Sequence, residues 1–259
     1  MQIGWNTPFG GLMTKQPKVF SHVGIDSDIL SYSCSFAAQE GSLSDLKSAV
    51  DDMVNYICEN TVVFPDFSDD GNVSGYLTGQ GNFRNEVAKT HVYKGTRKEV
   101  EKPKWLQYAR AYMVDQYNFK VIDGMEADDQ LAIDMTNYHD PDAYVIASID
   151  KDLLTVPGWH YNFRKNTFQY QTEHDALRFF YEQCLTGDRV DSVVGLHRVG
   201  PKTAQKVLDS ALTEHEMFAR VLKMYEEKCT DGDPYDRLIE NATLLHMRRY
   251  ENEMWEPPK

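Results

Sequence analysis

No stretch of this 259-residue chain approaches the ~20 uninterrupted apolar residues that a membrane-spanning helix requires. The opening MQIGWNTPFGG also lacks a charged segment followed by an apolar one, so a soluble cytoplasmic protein, with no membrane partner, is expected. Cysteine is scarce. Cys34, Cys58, Cys184 and Cys229 are scattered with no CxxC pair, which fits free thiols in a reducing compartment better than a disulfide frame or a zinc site. None of the eight histidines is paired at ligand spacing. Basic residues are outnumbered, 27 Lys and Arg against 40 Asp and Glu, for a net charge of −13. Taken alone, that balance runs against nucleic acid, because phosphate binding shows as an excess of cations. The cations are not evenly spread, however. They concentrate at 94–104 (KGTRKEVEKPK) and 198–206 (RVGPKTAQK), leaving room for a local basic footprint on an acidic protein.

What is present is enough for a sizeable core, either one large domain or a main domain with a helical extension: 41% of the chain is hydrophobic. Residues 1–17 carry Gly, Pro and Thr without periodicity and read as a loose arm. VFSHVGID predicts a buried strand ending in Asp26. Leu46, Val50, Met53, Val54 and Ile57 share one face of a helix over 45–60, and 105–117 and 126–138 follow the same period. Phe119 to Ile122 and the β-branched run AYVIASI at 143–149 read as strands. This alternation predicts an α/β core over 18–165 with a mostly parallel sheet flanked by helices. From about 166 to 259 the apolar spacing is helical almost throughout.

Acidic residues cluster where apolar runs begin or end: Glu126, Asp128 and Asp129 in GMEADDQLA, Asp150 and Asp152 in ASIDKDLL, Asp188 and Asp191 in LTGDRVDSVVG. Asp26 and Asp150 each close a predicted strand, and ligands of open α/β sheets bind beyond the carboxyl ends of the strands. A single Asp before a helix is usually a cap, and the pair at 150 and 152 alone reads as a solvated turn with Lys151 as a surface charge. Three acids at one helix start exceed what capping needs. So many like charges in one pocket require divalent cations, Mg2+ or Mn2+, to neutralise them.

The run GLHRVGPKTAQKVLDSAL at 195–212 has Gly195 and Gly200 around a short hairpin. Pro201 suits a helix's first turn, and Ala204, Val207 and Leu208 supply its buried face. It reads as a helix-hairpin-helix type element over about 185–212. Backbone N–H groups at its helix start could approach a phosphate, with Lys202 and Lys206 adding charge.

The order of these signatures resembles the flap endonuclease and 5′-3′ exonuclease family, most closely its bacteriophage members. The sequence offers in turn a strand ending in Asp26, a basic region, EADD, DKDLL, GDRVD and GLHRVGPKTA, covering roughly 19–212. NATLLHMRRYENEMWEPP at 241–258 is similar to the family's phage tails. The resemblance implies a PIN-like core, a helical arch over about 82–117, and two or more Mg2+ or Mn2+ ions, with a monovalent cation such as K+ at the hairpin. It implies that Asp26, Glu126 and Asp128 serve the first metal site and that Asp150, Asp152, Asp188 and Asp191 serve the second, with Asp128 or Asp129 near both. It further implies that Lys94 and Arg84 act on the scissile phosphate and that Tyr93 stacks on a base. Arg97, Gly195, Gly200, Lys202, Thr203 and Lys206 are implied to contact nucleic acid. The implied partner of a monomeric enzyme is double-stranded DNA with a 5′ end or flap, or an RNA–DNA hybrid, in the host cytoplasm if the chain is phage-encoded.

One departure stands out. The family's Asp after the second core strand is missing from GYLTGQGNFR; Asp69 and Asp70 lie well upstream in a loop and are poor substitutes, while Asp28 could contribute to the first metal site. That absence keeps open a DNA-junction binding protein with impaired catalysis. A haloacid-dehalogenase-like phosphatase is also imitated by IDSD, Lys151 and GDRVD, but it gives no role to EADD or GPKTA.

Overall fold

The computed structural model describes residues 19–95 and 101–259. The expected N-terminal arm and Arg97 lie outside them. Strands β1 (His22–Asp26), β2 (Val73–Thr78), β3 (Lys120–Ile122), β4 (Tyr144–Ala147) and β5 (Gly158–Asn162) pair in parallel in the order β3-β2-β1-β4-β5. A sixth, β6 (Thr167–Gln171), closes the edge antiparallel to β5. The order reverses between β1 and β4. The crevice at that switch point lies beyond the ends bearing Asp26 and the 148–152 turn.

The strands obey the period of two that buries both faces. Val23 and Ile25 of β1, with Val145 and Ala147 of β4, join one core with α1 (Ser27–Ala37), α2 (Leu43–Thr61) and α4 (Leu106–Tyr117). Tyr144 and Ile146 face the other way, onto Leu131, Ala132 and Met135 of α5 (Ala127–Asn137). Gly24 is needed at this crossing: a Cβ there would stand 2.3 Å from the Tyr144 hydroxyl and 2.8 Å from Leu131. Of the expected arch, 84–87 form the short α3 (Arg84–Val87), and α4 packs on the sheet beside α1.

Beyond the sheet, α6 (Glu173–Thr186), α7 (Pro201–Leu208), α8 (Glu214–Lys228) and α9 (Pro234–Leu245) bury their own apolar faces together with Tyr93. The helices start on side-chain caps from Thr172, Thr213 and Asp233, except α7, whose cap residue Gly200 offers none. Helical spacing after 166 overlooked β6, and the β5–β6 hairpin reads GWHYN then TFQYQ. A two-stranded ribbon, β7 (Gly187–Asp188) with β8 (Val193–Val194), also interrupts the expected helix-hairpin-helix, so α6 and α7 flank residues 187–200. Gly187 at φ +69° and Gly195 meet there, where a Cβ on Gly195 would lie 2.2 Å from the Thr186 carbonyl carbon. Among the described residues no helix is long and apolar enough to cross a membrane.

Candidate active site

Asp26 leaves β1 as the cap of α1, accepting from Ile29 N at 3.1 Å through Oδ1. Its other oxygen accepts from Ser148 Oγ at 2.6 Å, and the same hydroxyl accepts from Asp150 N at 2.9 Å. One serine therefore joins the ends of two adjacent strands. Asp26 is 1% exposed, and burial, with help from the Asp28 and Asp150 charges, pushes its carboxyl up to about 7. Asp128, in the first turn of α5, is raised well above its ordinary value, first by burial and then by Asp26, Asp150 and Glu126.

Glu126 caps α5 and accepts from Asn82 Nδ2 at 2.8 Å and from the Lys94 ammonium. Lys94 Nζ also stands 3.6 Å from Asp191 Oδ2, and its backbone is pinned by Lys94 N donating to Asp191 O at 2.8 Å. Asp191 in turn accepts from the Tyr93 hydroxyl at 2.9 Å. On the far side Lys151 Nζ donates to Asp152 Oδ1 at 2.6 Å and to Asp188 Oδ2 at 2.8 Å. Gln183 Nε2 donates to Asp152 at 2.5 Å. Val190 N at 2.7 Å and Asp191 N at 3.2 Å fix Asp188 Oδ1. Asp152 is raised by burial and the Asp150 charge. Burial works the same way on Asp188, but Lys151 and the two backbone donors hold that carboxyl below its ordinary range.

These links close a ring. From Asp26 through Asp150, Asp152, Lys151, Asp188, Asp191, Lys94 and Glu126 to Asp128, each neighbour touches or electrostatically biases the next. Seven of the eight acids expected as metal ligands, plus Asp26's partner Ser148, stand in or on it. Among the described residues no three His, Cys, Asp or Glu side chains already close on a single ion; the acids are held in pairs by ammonium groups and backbone donors. The donor set is oxygen only and anionic, with like charges opposing one another at Asp26 and Asp128, and this suits a hard divalent cation such as Mg2+ or Mn2+.

Asp129 is the acid outside the ring. Its two oxygens accept from Arg84 at 2.6 and 2.8 Å, and also from Arg248 N and Glu126 N at 3.0 and 3.1 Å. Arg84, 1% exposed, also donates to the Leu244 and His246 carbonyls at 2.9 and 2.7 Å, and its Nη1 stands 4.0 Å from Glu126 Oε2. In place of an arginine facing phosphate and an aspartate facing metal, the geometry gives a buried pair joining α3, α5 and the end of α9. Tyr93 differs likewise. Its ring is 6% exposed in the helical core, with no free face for a base. Gly195 packs against the end of α6. Gly200, Lys202, Thr203 and Lys206 are exposed around the uncapped start of α7.

Asp28, expected to contribute to the first metal site in place of the missing strand-end carboxylate, is taken up by Arg110 and by Thr78 N at 3.0 Å. No local pattern singles out Ser148, Asn82 or Arg110 from the sequence alone. Lys151, read there as a surface charge, is half of a bridge.

No family model matches the chain. It is 27% identical over 187 residues to a 5′-3′ exonuclease of Mycoplasmopsis pulmonis (strain UAB CTIP), an alignment covering 64% of this chain and 62% of that protein's length. Among solved structures, zinc-bound bacteriophage T5 5′-exonuclease superposes with a TM-score of 0.63 at 17% identity, covering 86% of this chain and 88% of that one. The T5 flap endonuclease in a pseudo-enzyme-product complex with DNA and metal ions gives 0.57 at 18%, covering 86% and 88%. The catalytic core of Rad2 with DNA substrate gives 0.52 at 14%, covering 85% and 71%. The chain thus has the PIN-like α/β fold of these nucleases. In sequence and in fold it resembles the flap endonuclease and 5′-3′ exonuclease family, phage members included.

Proposed function

We propose that the chain is a divalent-metal-dependent 5′-3′ exonuclease and 5′ flap endonuclease, hydrolysing DNA phosphodiesters to 5′-phosphate and 3′-hydroxyl products. The observation that carries this reading is the ring of acids at the switch point of the sheet. A DNA-binding protein without catalysis gains nothing from such charge facing phosphate. Asp26, Glu126, Asp128, Asp150, Asp152, Asp188 and Asp191 are the residues that would hold Mg2+ or Mn2+. Bound divalent ions would supply an activated water and charge neutralisation at the phosphodiester.

The chain's own residues do the rest. Ser148 and the cap of α1 hold Asp26; Asn82 and the α5 cap hold Glu126. Lys94, at the inner edge of the ring, contributes positive charge where the phosphate's negative charge grows. Exposed Lys202, Thr203 and Lys206, with the Lys202 backbone N–H at the start of α7, receive backbone phosphates of the duplex.

Two 5′-labelled DNAs, a blunt duplex and a 5′ flap, incubated with Mg2+, with Mn2+ and with EDTA, test the reading. Metal-dependent release of mononucleotides or flap fragments is expected. Intact DNA under every metal, despite measurable binding, would favour a junction-binding protein.

A further inference from the structure

Two lysines stand among the ring's carboxylates, and they differ in how they are held. Lys94 is 22% exposed and its backbone N–H is tied to Asp191 O. Lys151 is 60% exposed, and its ammonium bridges two acids that are 18% and 5% exposed. Those acids have partners of their own: Gln183 on Asp152, and two backbone N–H groups on Asp188. The carboxylates are thus fixed and the cation between them is the element with an open path to water. Asp152 belongs to the turn after β4 and Asp188 to β7, so the ammonium also spans the sheet region and the helical region.

Resting on the nuclease reading, we propose that Lys151 is a positioning residue for the second cation. Its ammonium keeps Asp152 and Asp188 at bridging distance while no divalent ion is bound, and it must swing out to solvent when one binds. A single positive charge between two carboxylates leaves the trio at −1; a divalent ion in its place brings it to zero. Exchange is therefore favoured at sufficient metal concentration, yet always opposed by the resident lysine. Its chemistry predicts that removing the side chain tightens metal binding, the opposite of what loss of a merely structural contact would do.

The test is calorimetric titration of the metal-free protein with Mn2+, read alongside electron paramagnetic resonance of free Mn2+. Wild type is compared with Lys151→Met and Lys151→Gln. Lys120→Met serves as a charge-matched control, because among the described residues the Lys120 ammonium bonds the exposed Asp69 and Asn118, which are not part of the ring. The weaker Mn2+ step should tighten about fivefold in both Lys151 variants, the effect of deleting one half-exposed ion pair, and stay unchanged in Lys120→Met. The metal-free melting temperature of the Lys151 variants should fall while their rise on adding Mn2+ grows. Unchanged or weaker Mn2+ binding in folded Lys151 variants would overturn the inference alone. A wild type that binds no Mn2+ would overturn the nuclease reading and this inference with it.

Discussion

Arg84 and Asp129 form a two-pronged ion pair, 2.6 and 2.8 Å, with both side chains almost fully out of water. The aspartate lies one turn into α5, three residues after Glu126, and accepts from Glu126 N, so the pair fixes the start of the helix that carries two acids of the ring. The arginine's remaining bonds to the Leu244 and His246 carbonyls fasten the end of α9 to the same point. This buried charge pair ties the sheet region to the helical region, immediately behind the ring of acids.

Breaking that pair from one side leaves an uncompensated buried charge. Arg84→Met or Asp129→Ala should each destabilise the protein by about 3–5 kcal/mol. The double variant Arg84→Met with Asp129→Ala should lose less than the two single losses added together. Urea unfolding followed by far-UV circular dichroism measures both, and additive losses would show the two side chains to be energetically independent.

Much of this was legible in the sequence, for physical reasons that are local. The strand ending at Asp26 and the β-branched strand at 144–147, which stops three residues short of Asp150, follow from short apolar runs, and the α2 face from the period of 3.6; both are properties of neighbouring residues. The partner of Asp129 was not legible. Arg84 lies 45 residues away, and only the packing of α3 on α5 and α9 decides that this acid meets an arginine while its neighbour Asp128 faces the crevice. Tyr93 misleads in the same way, because an aromatic beside Lys94 has no local mark that distinguishes a base platform from a core residue. The β5–β6 hairpin was missed although GWHYN and TFQYQ alternate, because the short turn between them lacks the Asn-Gly or Asp-Gly signal that announces a tight turn.

Asp26 is buried with two like charges near it, which costs stability at high pH. Its carboxyl pKa in the folded chain, about 7, lies above its unfolded value, so its contribution to stability is full below about 4 and is lost as pH rises through 7. Asparagine keeps the cap through Oδ1 and can meet Ser148 by donating from Nδ2 to Oγ, without the charge. In EDTA at pH 8, Asp26→Asn should melt several degrees above wild type. Added Mg2+ should raise the wild-type melting temperature more than that of the variant. A variant less stable than wild type in EDTA would contradict the charge argument.

Ser148 satisfies two buried groups at once, the Asp26 carboxylate and the Asp150 amide. Ser148→Ala should cost about 1–3 kcal/mol by leaving them unpaired. It should also weaken Mn2+ binding, since Asp26 loses its orienting donor. Ser148→Thr, which retains the hydroxyl, should recover most of the affinity in the same titration.

Lys202 and Lys206 are exposed on α7. If they receive duplex phosphates, the double variant to alanine should weaken DNA binding alike for all sequences. It should flatten the slope of log affinity against log salt by about 2. Fluorescence anisotropy across a salt series reads this directly, and an unchanged slope would place the duplex elsewhere.

His160 gives a prediction that is independent of any ligand. It is 6% exposed on β5, and its Nε2–H donates to the Val156 carbonyl at 2.8 Å, which assigns the neutral tautomer. Burial pushes its pKa down to about 4, against the pull of that carbonyl in the other direction. The unfolded chain therefore binds a proton near pH 6.5 that the folded chain refuses until about 4. Between those values unfolding takes up protons, and stability falls as the solution is acidified, by at most about 3 kcal/mol from this group. His160→Gln keeps an amide donor for Val156 and has nothing to protonate. The difference in unfolding free energy between wild type and His160→Gln should shift in the variant's favour as pH drops from 7 to 4. A difference that stays constant across that window would mean that the imidazole is protonated within the fold.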